Sequence, residues 1–337
     1  MIEIDGSYGE GGGAIFRQAL GMAMYATKPV RIRNIRAGRR KAGLAAQHLK
    51  AVEAAGAVSG ARVRGANLGS TEVVFDPGPV RPGEFSLDVG TAGSTTLILQ
   101  TVLLPCLFLP GEFSFDLTGG TDVPWSPPAD YLANVTLRTL QPFGIGRLEV
   151  LRRGYYPKGG GVLRARLVGG SGFGFALKFP APGEIKVIRG VSHATNQLRE
   201  RGVAERQADA AEHLLERLGC PVEIAVEYSE AANLGSGITL WTESDSGPPI
   251  GGSGLGAKGK PADDVGREAA RTLLDELNAG AAVDRHLADQ LIPFLAVSGG
   301  SLVTSGITAH TRSTIYVAEQ ILGAEFEVEG LAITARR

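Results

Sequence analysis

Residues 1–25 read MIEIDGSYGEGGGAIFRQALGMAMY, and this stretch sets the architecture. Met1 to Asp5 is a short strand, and Ala14 to Tyr25 is an apolar helix opened by the glycine loop. Working outward, Val30 to Ile35 alternates like a strand, and Leu44 to Ala55 has helical apolar spacing. Two strands follow, near Ala61–Val63 and Thr71–Phe75. The pattern then restarts. Phe85 to Val89 reads as a strand, Ser94 to Phe108 as a helix, Phe113 to Leu117 as a strand and Pro128 to Pro142 as a helix. Leu148–Leu151 and Val162–Leu167 read as strands, which makes a structural repeat of about 75 residues.

The segment from about Gly183 to Asn278 has a different character and carries much of the glutamate. It reads as strand Ile185–Val191, helix Leu198–Leu218, strands Val222–Val226 and Ile238–Trp241, a glycine-rich loop, then helix Asp264–Leu277. Beyond it, helix Ala288–Ala296, strand Leu302–Ser305 and helix Thr311–Leu322 complete a third unit. The expected fold is therefore α/β. Residues 1–182 and 279–337 should form a large three-repeat domain, with 183–278 as a small inserted one.

Composition narrows the function. The 337 residues are 43% hydrophobic and 20% charged, a globular balance. The 48 glycines are about twice the usual share and mark tight turns and close backbone approaches. The longest apolar run, Leu97 to Leu109, is interrupted by Gln100 and Pro105 and is too short to span a bilayer. The acidic N-terminus lacks a signal-peptide core. Cys106 and Cys220 read as reduced structural thiols, so a cytoplasmic setting with no membrane contact is expected. Net charge is −1, yet no Asp or Glu occurs from Gly11 to Val52. That stretch holds Arg17, Lys28, Arg31, Arg33, Arg36, Arg39, Arg40, Lys41 and Lys50. One basic stripe on a neutral protein suits a local phosphate group better than a long duplex.

Four motifs carry possible chemistry. The stretch GLGAKGKP at 254–261 has P-loop spacing, but Pro261 stands where a hydroxyl should hold magnesium, so it reads as a surface loop. The loop at Gly9–Gly13 points backbone N–H groups at a helix start, which favours an anion. Glu10 within it either shares a divalent cation with phosphate or complements the helix dipole. The stretch from Arg153 to Val162 places three glycines before a strand, a costly arrangement that needs a reason. His310 opens the Thr311 helix, whose positive end favours an uncharged, nucleophilic ring and a phosphate bonded to it. His48, His193 and His213 each read as a structural residue in or beside a helix.

Together these pieces resemble the RNA 3′-terminal phosphate cyclases over essentially the whole chain. The carrying residues are Asp5–Gly13, Ile35–Arg39, Thr118–Asp122, Arg153–Leu163, Leu287–Leu291 and His310. The resemblance implies three β-α-β-α-β-β units like the C-terminal domain of translation initiation factor three, with a small thioredoxin-like insert. It implies ATP-dependent conversion of an RNA 3′-phosphate to a 2′,3′-cyclic phosphodiester, with His310 taking AMP. Gln100, His286, Leu287, Ala288, Asp289 and Gln290 then match ATP-contacting positions. Glu10 matches the position of a ligand to a divalent metal, magnesium or manganese. Arg17, Arg36, Arg39 and Gln47 match positions near the RNA terminal phosphate. His286 departs from the pattern, standing where a tyrosine is expected against adenine. The implied partner is RNA with a 3′-phosphate end, with no obligatory protein partner. Two competing readings remain. Cyclase-like ribosome-assembly factors lack the nucleophilic histidine, and sugar-phosphate enolpyruvyl transferases need neither His310 nor the insert.

Overall fold

The computed structural model describes residues 1–170 and 174–336; residues 171–173 and 337, which the expected large domain includes, lie outside it. The first unit runs β1 (Ile2–Asp5), α1 (Gly13–Ala26), β2 (Val30–Arg33), α2 (Ala46–Ser59), β3 (Arg62–Arg64) and β4 (Val73–Asp76). The second begins with β5 (Gly83–Asp88), α3 (Thr95–Phe108) and β6 (Gly111–Gly119). A broken helix follows, α4 (Ala129–Tyr131) and α5 (Leu137–Thr139) around a π-helical turn at Leu132–Thr136; β7 (Gly144–Arg152) and β8 (Gly161–Gly169) complete the unit. The third unit opens with β9 (Leu177–Phe179). It is interrupted by β10 (Ile185–Thr195), α6 (Val203–Leu215), β11 (Val222–Ser229), β12 (Ser236–Ser244), β13 (Gly251–Leu255) and α7 (Ala262–Asn278). It resumes with α8 (Arg285–Ser298), β14 (Gly300–Val303), α9 (Ala309–Leu322), β15 (Glu325–Glu329) and β16 (Ala332–Arg336).

The three units share one sheet topology. Their strand orders are β1-β2-β4-β3, β5-β6-β8-β7 and β9-β14-β16-β15. In each, the first two strands are parallel and the other pairings are antiparallel. The parallel pair requires a helical crossover, which α1, α3 and α8 provide. The interrupting segment forms a fourth mixed sheet, β11-β10-β12-β13. It stands between β9 and α8, where the other units have only a short strand-to-helix loop.

Helices from all three units make one core. α1 packs on α3 and α9, α2 packs on α3, and α8 packs on α9. The run that looked too short for a membrane is α3, buried on nearly every side. A helix apolar all round belongs in a core, and each buried leucine there contributes roughly 1.5–3 kcal/mol. Gly21 lets α1 approach closely, since a Cβ would stand 2.6 Å from the Thr101 carbonyl oxygen. The fourth sheet has its own buried clusters, centred on Ile188, Leu240 and Leu273 and on Ala194 and Ala204.

Several expectations change. The glycine-rich segment expected as a loop contributes strand β13, which pairs with β12 from Gly251 to Leu255. Gly252 and Gly254 face α7, where a Cβ on Gly252 would stand 2.6 Å from the Leu273 nitrogen, while Gly251 faces the Tyr131 ring. Of the P-loop-like stretch only Gly254 and Leu255 belong to β13; residues 256–261 turn near the surface, as a surface loop should. The helix expected over Leu198–Leu218 breaks at Gly202, which has φ +56°, between a 3-10 turn at Asn196–Arg201 and α6. Strands β9, β15 and β16 were not foreseen. His193 lies on β10, not in or beside a helix.

Candidate active site

The glycine loop is held at both ends. Asp5 Oδ1 accepts from the Ser7 N–H at 2.9 Å and from Asn34 Nδ2 at 3.0 Å. Those hydrogen bonds, Asn34 first, lower the Asp5 carboxyl below its ordinary range. Gly38 N–H donates to the Gly11 carbonyl at 3.1 Å, so the loop after β2 docks on the glycine loop. Tyr8 stacks on Tyr316 of α9 with ring centroids 4.2 Å apart. Three chain segments thus meet at one place. Small residues are needed there, because a Cβ on Gly38 would strike the Glu10 carbonyl and one on Gly13 the buried His48 ring.

His310 is the second residue of α9. Thr308 caps that helix, accepting from the Thr311 N–H at 3.0 Å while its own N–H donates to Thr311 Oγ1 at 3.1 Å. Asp289 fixes the cap, accepting from Thr308 Oγ1 at 2.7 Å and from Thr311 Oγ1 at 2.5 Å. Burial raises the Asp289 carboxyl, while Thr311, Thr308, His310 and His286 oppose the shift. His310 Nε2 lies 3.4 Å from Glu10 Oε1, and the same oxygen accepts from Arg39 Nη2 at 3.0 Å. The His310 side chain is 44% exposed, so a ligand can reach it.

The basic residues divide into two sets. Arg17 and Arg36 stand with Arg39 around the glycine loop. Burial draws the Arg17 guanidinium down to about 10, with Glu10 opposing and Arg36 and Arg39 adding to the fall. Arg36 has φ +56° and spends one nitrogen on the Gly43 carbonyl at 2.7 Å. Gln47 reaches the second unit, accepting from the Ser94 N–H at 3.4 Å. Arg31 and Arg33, the part of the basic stripe that lies on β2, pair with Glu3 and Glu72 and are not free for a phosphate. The acid-free stripe is acid-free only along the chain, because β1 and the approach to β4 bring carboxylates beside β2.

The remaining site residues lie on α3 and α8. Gln100 Nε2 donates to Gln290 Oε1 at 2.5 Å, and Thr136 Oγ1 donates to the same oxygen at 2.8 Å. A small cleft there is lined by Gln18, Gly21, Gln100, Thr136, Gln290 and Phe294. His286 is exposed at the start of α8. Leu287 and Ala288 are in the core, so only their backbones could meet a ligand. Asp284 caps α8 and accepts from Tyr131 Oη at 2.7 Å.

Sequence reading missed a second charged cluster. Arg153 Nη1 bonds Asp130 Oδ2 at 2.6 Å and lies 3.4 Å from Asp122 Oδ2. Its Nη2 bonds Glu227 on β11 at 2.9 Å. His193 Nε2 stands 3.4 Å from Asp122 Oδ1, and Nδ1 bonds Tyr155 Oη at 2.8 Å. Burial alone would raise the Asp122 carboxyl, but His193, Arg153 and Thr121 hold it well below the ordinary range. Asp122, Asp130 and His193 offer atoms within 4.8 Å of one another, a spacing that could hold a metal ion. The Arg153 guanidinium already supplies positive charge to those carboxylates. The separate motifs at 118–122 and 153–163 were visible in sequence, but their meeting with β10 was not.

A profile of the RNA 3′-terminal phosphate cyclase family matches residues 8–328. The chain is 49% identical to an RNA 3′-terminal phosphate cyclase of Archaeoglobus fulgidus, covering 98% of each chain. It is 47% identical to the proteins of that name from Pyrococcus furiosus and Methanopyrus kandleri, covering 98% of this chain and 96% of each relative. With the match running from the glycine loop past His310, this chain belongs to the RNA 3′-terminal phosphate cyclase family.

Proposed function

We propose that this chain cyclises RNA 3′-phosphate ends with ATP, through AMP carried on His310. The observation that carries the reading is the convergence of an exposed His310 with Glu10, Arg39 and the glycine loop. The relatives' shared name supports the substrate. A phosphate monoester has a poor leaving group, and covalent catalysis divides the difficult displacement into easier ones. His310 Nε2 attacks the α-phosphorus of ATP, forming a P–N bond as pyrophosphate leaves. An oxygen of the RNA 3′-phosphate then attacks that phosphorus and frees His310. The vicinal 2′-hydroxyl attacks the terminal phosphorus, loses its proton, and AMP departs.

The other residues would serve these steps. Gln100 and Gln290 border the nucleotide cleft, Asp289 holds the helix start that carries His310, and the exposed His286 ring offers a face to adenine. Arg17, Arg36, Arg39 and Gln47 would receive the RNA phosphate. The site fits a magnesium or manganese ion only in company with phosphate, since Glu10 supplies one carboxylate and such ions take their remaining ligands from phosphate and water. That ion would neutralise phosphate charge. In this reading, 1–182 with 279–337 is the catalytic domain, and 183–278 is an inserted one. Free Cys106 and Cys220 suit a cytoplasmic setting. Among the described residues no helix is long and apolar enough to cross a membrane.

Incubation with α-labelled ATP and a divalent metal should leave acid-labile label on the protein. His310→Asn should abolish both label and cyclisation while keeping the fold, because the side chain is 44% exposed and Thr308 caps the helix without it. Label retained in His310→Asn would refute the assignment.

A further inference from the structure

Trp125 is 98% exposed and adopts φ +67°, a conformation that bulky residues rarely take. Its loop is nevertheless tied down. Ser126 Oγ donates to the Val123 carbonyl at 3.0 Å, and the Pro127 carbonyl accepts from Thr96 Oγ1 at 2.8 Å. Thr96 Oγ1 is 2.7 Å from Ser94 Oγ, and Ser94 N–H reaches Gln47. The loop is thus linked to a residue of the terminal-phosphate group, and it turns its one large apolar side chain outward. Strain held by such anchors points to use rather than accident.

The neighbouring loop has the same character. Tyr155 bridges Asp122, and the next residue, Tyr156, is 70% exposed. Arg152, at the end of β7, and Lys158 of that loop are exposed cations. Isolated aromatic faces among cations, linked to residues proposed to receive a phosphate, are what single-stranded nucleic acid binds. A protein interface would instead centre on a patch depleted of charge.

We propose that Trp125 is a stacking platform for a base of the RNA near its 3′ end. The proposal rests on the cyclase reading and adds to it a contact made by the RNA body rather than by its terminal phosphate. Stacking of this kind tolerates any sequence, because every base has a π face.

The protein provides its own probe. It has two tryptophans, and the other, Trp241, is only 6% exposed. Adding a 3′-phosphate oligoribonucleotide to the intact enzyme without ATP should quench the Trp125 emission and shield it from iodide. Trp125→Gly should weaken RNA binding by about tenfold, the scale of one stacked base, and Trp125→Tyr should restore most of it. AMP labelling of His310 should be unchanged. Glycine takes φ +67° freely, so Trp125→Gly should melt no lower than wild type. A purely structural role would lower both melting temperature and RNA affinity. The proposal is overturned if Trp125→Gly binds RNA as wild type does, or loses stability and affinity together. It is equally overturned if ATP alone quenches Trp125, or if the substitution changes only the oligomeric state. Failure of the cyclase reading looks different, because the wild type would then neither take label nor cyclise RNA.

Discussion

Arg153 and Arg39 both pair with carboxylates, yet one side chain is 3% exposed and the other 48%. Around Arg153, both terminal nitrogens are committed to Asp130, and the second also to Glu227. Around Arg39, one oxygen of Glu10 is shared by the Arg39 guanidinium and the His310 ring, and solvent reaches all three. The first group is closed and joins the second unit to β10 and β11. The second is open, with hydrogen-bonding capacity left for a ligand. Charge therefore does different work in the two places, and burial with partner count separates them better than residue type.

The largest effect should come from breaking the closed group. Arg153→Met leaves Asp122 and Asp130 buried without their cation, and removing one member of a buried pair typically costs about 3–5 kcal/mol. Urea unfolding of Arg153→Met beside Arg39→Ala measures the contrast, since the exposed change should stay within about 0.5 kcal/mol. Equal stability of the two variants would erase the distinction.

A second test uses pH. Below the open cluster, burial lowers His48 to about 3, helped by Arg17 and Arg36. The unfolded chain takes up a proton near the ordinary value of about 6.5, while the folded chain does not. Stability is therefore complete above that value and declines as pH falls towards the folded value, by about 2 kcal/mol between pH 7 and 5. His48→Gln should flatten this slope. Asp122 is lowered in the folded state, so its contribution is lost only below the ordinary carboxylate value of about 4. Unfolding midpoints followed from pH 7 to 3 separate the two regions, and an unchanged slope in His48→Gln contradicts the assignment.

The smallest expected change divides the basic stripe itself. Arg39→Ala should leave AMP labelling near wild type but reduce preference for a 3′-phosphate over a 3′-hydroxyl end by about tenfold, the scale of one charge-assisted contact. Arg31→Ala should change that preference less than about twofold, and its surface pairs are worth about 0–1 kcal/mol. Single-turnover transfer to the two RNA ends decides the matter, and equal effects would return the stripe to a uniform surface.

What could be read in the sequence followed from locality. The β1–glycine loop–α1 passage, α3 and the start of α9 are each specified by neighbouring residues, and they emerge within a few positions of expectation. Gln100 and Gln290 could be nominated from motifs, although their hydrogen bond joins segments 190 residues apart. β13 was hidden because its glycines serve close packing, Gly252 and Gly254 against α7 and Gly251 against Tyr131, and glycine in sequence signals turns first. β9 has only three residues, too few for alternation to show. The Arg153 cluster draws on α4, β10, β11 and two loops, and no local pattern announces such a meeting. Arg31 and Arg33 looked free because their partners, Glu3 and Glu72, come from either side of the stripe.

The interruption between β9 and α8 has a consequence for synthesis. β9 emerges from the ribosome more than 110 residues before β14, its sheet partner, so it must wait while the fourth sheet is made. At about 5–20 residues per second that wait is roughly 5–25 s. Throughout it the residues of the first two units, Glu10 and Arg39 among them, have been made, but His310 has not. On the proposed mechanism a nascent chain cannot take AMP before α9 is made, so the order of translation delays the chemistry until the protein is nearly whole.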